Sequence, residues 1–129
     1  MAKKSVTLIE LMIVAAVMLV TVGGLILVFV RAMVFDDISR GKTIALRHAN
    51  FVMEGMKNTA AAGLSATISS GNWNFSAAGL SAAGFVPLRG EMINTTVSGD
   101  GLLNITLRVS WQDKEGRPLN MTFFTAEAL

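Results

Sequence analysis

An unbroken run of apolar residues near the N-terminus dominates the hydrophobic pattern of this chain. Residues 11 to 30 carry no charged side chain, and a helix of about 20 residues spans roughly 30 Å of hydrocarbon. A cleavable secretory signal has a shorter apolar region and ends in small residues, whereas this run ends in FVRAMVF. The pattern therefore predicts a membrane-spanning helix that is not cleaved on its C-terminal side.

The charges that flank this run predict its orientation. Lys3 and Lys4 precede it, whereas Arg31 is soon followed by Asp36 and Asp37. Because positive residues favour the cytoplasmic side, we expect the N-terminus in the cytoplasm and the rest of the chain outside.

A helical period continues beyond the apolar run. Residues spaced alternately three and four apart form one predicted stripe, in which Lys42 is the weak member: Phe35, Ile38, Lys42, Ala45, Ala49, Val52 and Met56. One continuous helix from about Val6 to about Asn58 is predicted, with soft points at Gly23, Gly24 and Gly41. The first two are either ordinary glycines of a membrane helix or a point of local unwinding.

The remaining chain changes period twice. Residues 60–90 are rich in Ala, Gly and Ser, which predicts a connecting loop with a short strand or turn near Trp73 to Phe75. Residues 91–129 alternate apolar and polar side chains, most clearly in LLNITLRVSWQD, and the turn sequences SGDG and DKEGRP separate three strands. These residues predict an antiparallel β-meander.

The predicted fold class is α+β. The membrane-spanning part of the predicted helix occupies residues 6–30, and the outer amphipathic half of the same helix occupies residues 31–59. The small antiparallel sheet needs a cover for its apolar face, and this outer half is the only long amphipathic element available.

Composition narrows the function classes. The chain has 129 residues and a formal net charge of +2, from 11 basic and 9 acidic residues, and two of the basic ones are Lys3 and Lys4. The remaining charges balance, so no nucleic-acid surface is predicted. The chain has no cysteine and one histidine, His48, which we expect to be a surface or packing residue. We predict no catalytic residue, metal site or cofactor, and Trp111 is expected in the sheet's core.

Glu10 is the one acid at the start of the apolar segment. A carboxylate in hydrocarbon costs about 3 kcal/mol, although an acid is favourable in the first turn of a helix. If the residues before the apolar run are retained as a leader, Glu10 could pair with Lys3 or Lys4 of that leader or extend to the membrane edge. With the leader removed, the new α-amino group of one copy could neutralise Glu10 of a neighbour.

These residues resemble the signature of type IV prepilins and type II secretion pseudopilins. In that family a basic leader ends at a small residue, usually Gly, followed by Phe-Thr-Leu-Ile-Glu and a long apolar run. The matching residues here are Ser5, Val6, Thr7, Leu8, Ile9 and Glu10, after a leader charged by Lys3 and Lys4. Ser5 and Val6 depart from the usual Gly and Phe.

The resemblance implies processing and assembly. Residues 1–5 would be a cleaved basic leader, with prepilin peptidase cutting between Ser5 and Val6, N-methylation of Val6, and Glu10 as the assembly residue. The implied partners are the peptidase, other pilin or pseudopilin subunits, an inner-membrane assembly platform, and membrane lipid before assembly. The implied location is the inner membrane and then a filament.

A weaker resemblance narrows the subfamily. The sequences ALRHANFVMEGMKNT and VSWQDKEGRPLNMTFFTAEAL resemble minor pilins and minor pseudopilins. The function predicted is a non-enzymatic structural subunit of a type IV pilus or type II secretion pseudopilus. The alternative is a single-span membrane protein whose small outer domain binds a partner without filament assembly.

Overall fold

The computed structural model describes residues 7–99 and 102–128, with the side chains of residues 61, 62 and 128 excepted. The chain divides into two compact units between Asp36 and Asp37. The first contains the apolar part of the long helix, and the second contains the rest of that helix and the sheet.

The described residues form three helices and four strands. In chain order these are α1 (Leu8–Lys57), α2 (Ala61–Ser69), β1 (Phe75–Ser76), α3 (Ala77–Ala82), β2 (Met92–Ser98), β3 (Leu102–Gln112) and β4 (Pro118–Ala128). The strands form one antiparallel sheet in the order β1-β2-β3-β4. The predicted α+β fold, with a long N-terminal helix and a small antiparallel sheet, is confirmed.

Helix α1 is continuous over 50 residues, close to the predicted bounds. Its buried residues are Gly41, Ala45, His48, Ala49, Val52 and Met56. The predicted stripe is therefore right in its second half and wrong at two positions, since Phe35 is 70% exposed and Lys42 is also exposed. Gly41 and His48 lie on the buried face instead. Burial on this face depends on how a residue fits against the sheet and not only on how apolar it is.

Strand β3 lies between β2 and β4 and provides the largest part of the sheet's buried face. The five side chains predicted on one face are all buried: Leu103, Ile105, Leu107, Val109 and Trp111. They form one core cluster with Ala45, Ala49, Val52 and Met56 of α1. Burying a Leu, Ile or Val side chain stabilises a fold by about 1.5–3 kcal/mol, so β3 is the main strand of this core.

The segment predicted as a connecting loop is more ordered than its composition indicates. It contains α2, α3 and β1, and Leu64, Ile68 and Leu80 enter the core. Leu64 and Ile68 are four residues apart, so one turn of helix places both on one face. The predicted short strand or turn near Trp73 is confirmed, because a turn at residues 71–73 leads into β1.

Hydrogen bonds attach this turn to the rest of the second unit. Trp73 Nε1 donates to Thr67 Oγ1 at 3.2 Å, and Thr95 Oγ1 donates to the Trp73 carbonyl at 3.0 Å. The Thr95 backbone N–H donates to Asn74 Oδ1 at 2.7 Å. The turn is therefore anchored to both α2 and β2.

Both tryptophans of the chain lie against glycines of α1. A Cβ atom at Gly41 would lie 3.0 Å from Trp111 Nε1, and one at Gly55 would lie 2.7 Å from Trp73 Cζ3. Carbon atoms are in favourable contact at about 3.5–4.0 Å, so neither position has room for a methyl group without displacing an indole ring. The glycine predicted as a soft point, Gly41, is therefore a packing residue.

We predict that Gly55→Ala lowers the free energy of unfolding by about 1–3 kcal/mol, because the added methyl group overpacks the Trp73 ring. Helix propensity alone predicts the opposite, a gain of up to about 1 kcal/mol. Chemical denaturation of the full-length protein in detergent micelles, followed by tryptophan fluorescence, measures the change.

Gly63→Ala is the matched control, because Gly63 lies in α2 with no atom within 4 Å of an added Cβ. This variant should be neutral or more stable. A Gly55→Ala protein as stable as Gly63→Ala would contradict the packing described.

Candidate functional site

The surface of the first unit is the most unusual feature of the described residues. Every large apolar side chain from Leu8 to Val30 is 52% to 80% exposed. Globular proteins rarely leave an apolar surface of this extent in contact with water. By length and composition, α1 could cross a membrane. An apolar surface of this kind is typical of a segment that contacts lipid or other protein.

Glu10 lies in the first turn of this helix and bonds back to the start of it. Its Oε2 accepts the Thr7 backbone N–H at 3.1 Å and the Thr7 hydroxyl at 3.2 Å. A Thr followed three residues later by a Glu is the capping-box arrangement, in which the acid satisfies a backbone N–H at the helix start. Glu10 therefore has a partner within its own chain, and its carboxylate is exposed.

The other predicted site residues are not in the described part of the chain. Ser5 and Val6, predicted as the peptidase site, and Lys3 and Lys4, predicted as the leader charge, all lie outside the described residues. Of the predicted site, the structure therefore positions Glu10 only.

Gly23 and Gly24 lie within continuous helix in this structure. An added Cβ at either position would meet no atom within 4 Å. Of the two alternatives for these glycines, the structure shows ordinary helical geometry rather than an unwound segment.

A buried acid–histidine pair lies in the second unit. His48 Nδ1 and Glu91 Oε1 are 2.8 Å apart, and the two side chains are 4% and 0% exposed. Since a carboxylate only accepts, the geometry fits a proton on Nδ1 that is donated to Glu91. The sequence predicts that His48 is a surface or packing residue, and the structure shows that it is a buried packing residue. Glu91 was not anticipated.

Further contacts of the pair fix the segment that leads into β2. The Leu88 backbone N–H donates to Glu91 Oε2 at 2.7 Å, and the Phe85 ring lies edge-on to His48 at 5.0 Å between centroids. Both carboxylate oxygens are thus occupied, one by α1 and one by the segment before β2. The described residues contain no group of three or more His, Cys, Asp or Glu side chains that could hold a metal ion. The arrangement is that of a structural connection.

Sequence reasoning missed this pair because its members are 43 positions apart. One signal was present. His48 lies one helical turn before Val52, on the face that Ala45 and Ala49 also share. A lone polar residue on a buried helix face requires a buried partner.

The turn between β3 and β4 is held by Asp113. Its Oδ1 accepts the backbone N–H groups of Glu115 and Arg117 at 3.0 and 2.8 Å, and Arg117 Nε donates to Oδ2 at 2.7 Å. Desolvation acts to raise the pKa of Asp113, but these hydrogen bonds and the Arg117 charge outweigh it, so the pKa lies below its usual value.

A cleft of about 440 Å³ lies beside this turn. Ile44, Trp111 and Leu119 contribute apolar walls. At its rim Lys114 Nζ lies 2.6 Å from Asp37 Oδ1, in an exposed ion pair. Pairs of this kind contribute about 0–1 kcal/mol. The cleft therefore has an apolar wall and a rim with charges of both signs.

No protein-family model, curated protein or solved structure matches the chain. The described structure itself has a long N-terminal apolar helix and a small antiparallel sheet on which the outer part of that helix packs. This architecture is compatible with a pilin-like fold.

We predict that Glu91→Ala lowers the free energy of unfolding by about 3 kcal/mol or more, because it leaves the buried His48 and the half-buried Leu88 N–H without their acceptor. Denaturant unfolding of the full chain in micelles measures this change.

Glu115→Ala is the control, since Glu115 is an exposed acid whose pair with Arg117 is at the surface. Its effect should stay below about 1 kcal/mol. Equal effects of the two substitutions would show that the buried pair contributes no more than a surface pair.

Proposed function

We propose that this protein is a non-enzymatic structural subunit, a minor pilin or pseudopilin, that assembles through α1 into a type IV pilus or type II secretion pseudopilus. In this proposal prepilin peptidase removes residues 1–5 and Val6 is methylated. The subunit resides in the inner membrane before an assembly platform there transfers it to the filament.

The observation that carries the proposal is the apolar surface of α1 from Leu8 to Val30, which none of the described residues covers. Lipid before assembly and neighbouring helices after assembly provide two successive covers for the same surface. The sequence Thr7-Leu-Ile-Glu10 at its start supports a pilin-type subunit, because the resemblance lies at the point where the apolar run begins.

Glu10 has two roles in this proposal. In the single chain its carboxylate caps the helix through Thr7. In the filament the same carboxylate accepts the α-amino group of a neighbouring subunit, which offsets the cost of burying both charges and fixes the stagger between helices. A carboxylate has about four lone-pair sites, so it can accept both partners together.

The capping bond also favours the alternative function, a single-span protein whose outer domain binds a partner. Because the Thr7 bonds explain an acid at this position without a neighbouring subunit, a permanently anchored chain needs no further role for Glu10. Processing and assembly distinguish the two functions.

We predict that the intact mass of the protein from cells with active prepilin peptidase lacks residues 1–5 and includes one added methyl group. Cells without the peptidase should retain the full chain. Ser5→Leu, which puts a bulky residue at the predicted cut, should block shortening, while Ser5→Gly should preserve it. An unshortened wild-type chain in both cell types would contradict the filament proposal and favour the anchored domain.

We predict that Glu10→Ala reduces incorporation into filaments by at least about tenfold, with membrane insertion unchanged. Immunoblotting of sheared filaments and of membranes measures the two quantities. Glu54→Ala, at an exposed acid of the same helix outside the apolar run, is the control and should assemble normally.

Glu10→Gln separates the two roles of the residue, because glutamine keeps the capping hydrogen bonds and removes the charge. The proposal expects this variant to fail as Glu10→Ala does. Normal assembly of Glu10→Gln would show that capping, rather than pairing with a neighbour's amine, is the role of Glu10.

A further inference from the structure

Strand β4 is a long sheet edge without the features that usually protect one. It pairs with β3 in one unbroken register from Leu102↔Ala128 to Gln112↔Pro118, so it contains no bulge. Its only proline is at its first position, and it carries no charged side chain before Glu127. Natural sheets protect exposed edges with charges, prolines or bulges, because unpaired backbone groups bind other strands.

The turn hydrogen bonds show which backbone groups of β4 face outward. The Asp113 N–H donates to the Arg117 carbonyl, and the N–H of the next residue inward, Gln112, points away from β4 to the Arg89 carbonyl at 2.8 Å. In an antiparallel ladder, hydrogen-bonded and non-hydrogen-bonded pairs alternate. Pro118, opposite Gln112, is therefore of the non-bonded kind. The residues of the same kind further along are Asn120, Thr122, Phe124 and Ala126, and their N–H and C=O groups face the free edge.

The side chains of the same four residues are exposed on the outer face of the sheet. Phe124 is 78% exposed. Leu119, Met121 and Phe123 alternate with them and pack against the core. The strand therefore packs on the core through one face, while no described residue pairs with its outer edge.

One charge stands beside this edge. Arg108 of β3 lies opposite Thr122 in the register and is exposed, and its guanidinium group has no hydrogen-bond or ion-pair partner among the described residues. A strand added beyond β4 would lie about 10 Å from β3. A long basic side chain and a glutamate can together span that distance above the small Thr122 side chain.

The opposite edge of the sheet is protected. The short strand β1 pairs with the start of β2, and beyond it the Thr95 N–H is already bonded to Asn74 Oδ1. Within the described part of the chain, β4 is therefore the edge available for a further strand.

We propose that the free edge of β4 binds an extended segment of a different protein as a fifth, antiparallel strand, with an apolar residue opposite Phe124 and an acidic residue two positions later, opposite Thr122 and beside Arg108. Backbone hydrogen bonds at the four outward residues supply affinity, and the two outer-face side chains supply specificity. This surface goes beyond the filament proposal, since α1 takes no part in it.

The charge of Arg108 favours a different protein over a second copy of β4. In an antiparallel pairing of two β4 edges, an outward residue of one copy always lies opposite an outward residue of the other. Thr122 would therefore face Asn120, Thr122, Phe124, Ala126 or another outward residue of the second copy. The acid of β4, Glu127, belongs to the other face. Pairing between copies therefore leaves Arg108 without an acid.

The test uses a synthetic peptide of roughly nine residues in which valine and threonine alternate. One valine is replaced by glutamate, so that the glutamate follows a remaining valine by two positions, as the proposed contacts with Phe124 and Arg108 require. It is titrated onto the full-length protein in micelles, and amide hydrogen exchange is followed residue by residue. We expect new protection at the amides of Asn120, Thr122, Phe124 and Ala126, and unchanged protection at Met121, Phe123 and Thr125.

Two variants make the test specific. Thr122→Pro removes an outward N–H, which an edge strand tolerates, and should abolish binding while the unfolding midpoint stays near that of the wild type. Arg108→Glu should reverse the preference, so that a peptide with lysine in place of glutamate binds roughly fivefold tighter than the original.

Three results would overturn the proposal. The first is absence of new protection at the four outward amides. The second is a peptide affinity that neither the Thr122→Pro nor the Arg108→Glu substitution changes. The third is protection of the same amides that rises with protein concentration before any peptide is added, which would assign the edge to a second copy of this chain.

Discussion

The packing of α1 against the sheet is the interaction on which the second unit depends. Gly41, Ala45 and Ala49 follow one another at intervals of four, so they form one small-residue row along the buried face of α1. Because Gly41 has no side chain, the Trp111 ring of β3 fits against the helix at this position. Gly55, further along α1, provides the same space for Trp73. At Gly41 and Gly55 the helix leaves space, which the Trp111 and Trp73 rings occupy.

The parts of the fold that could be predicted are those that depend on local sequence patterns. The alternation along β3 and the continuous helical period of α1 are local patterns, and the structure confirms both. The stripe failed at Phe35 and Lys42 because a hydrophobic pattern ranks residues by polarity. The buried face instead required a residue with no side chain at Gly41 and a hydrogen-bonding one at His48, and both requirements come from residues far along the chain.

In the connecting segment and in the candidate site, too, contacts between distant residues were not visible in the local sequence. Small residues between anchors predict a loop by composition, yet Leu64, Ile68 and Leu80 each reach the core and order their segments as helices. Glu10 stood out in the sequence because an acid in an apolar run is costly wherever it lies. Glu91 did not, because an acid next to a turn is ordinary until the structure shows its burial beside His48.

The row of small residues on α1 also affects the chain while it is being made. At about 5–20 residues per second, the ribosome adds Trp111 roughly 4 to 14 seconds after Gly41. Throughout that interval the buried face of α1 has no sheet to cover it. Gly41, Ala45 and Ala49 expose little apolar area, so this row of the helix offers few contacts to chaperones or to other nascent chains. The bulky half of the core arrives last, on strands that can pair at once with their neighbours in sequence.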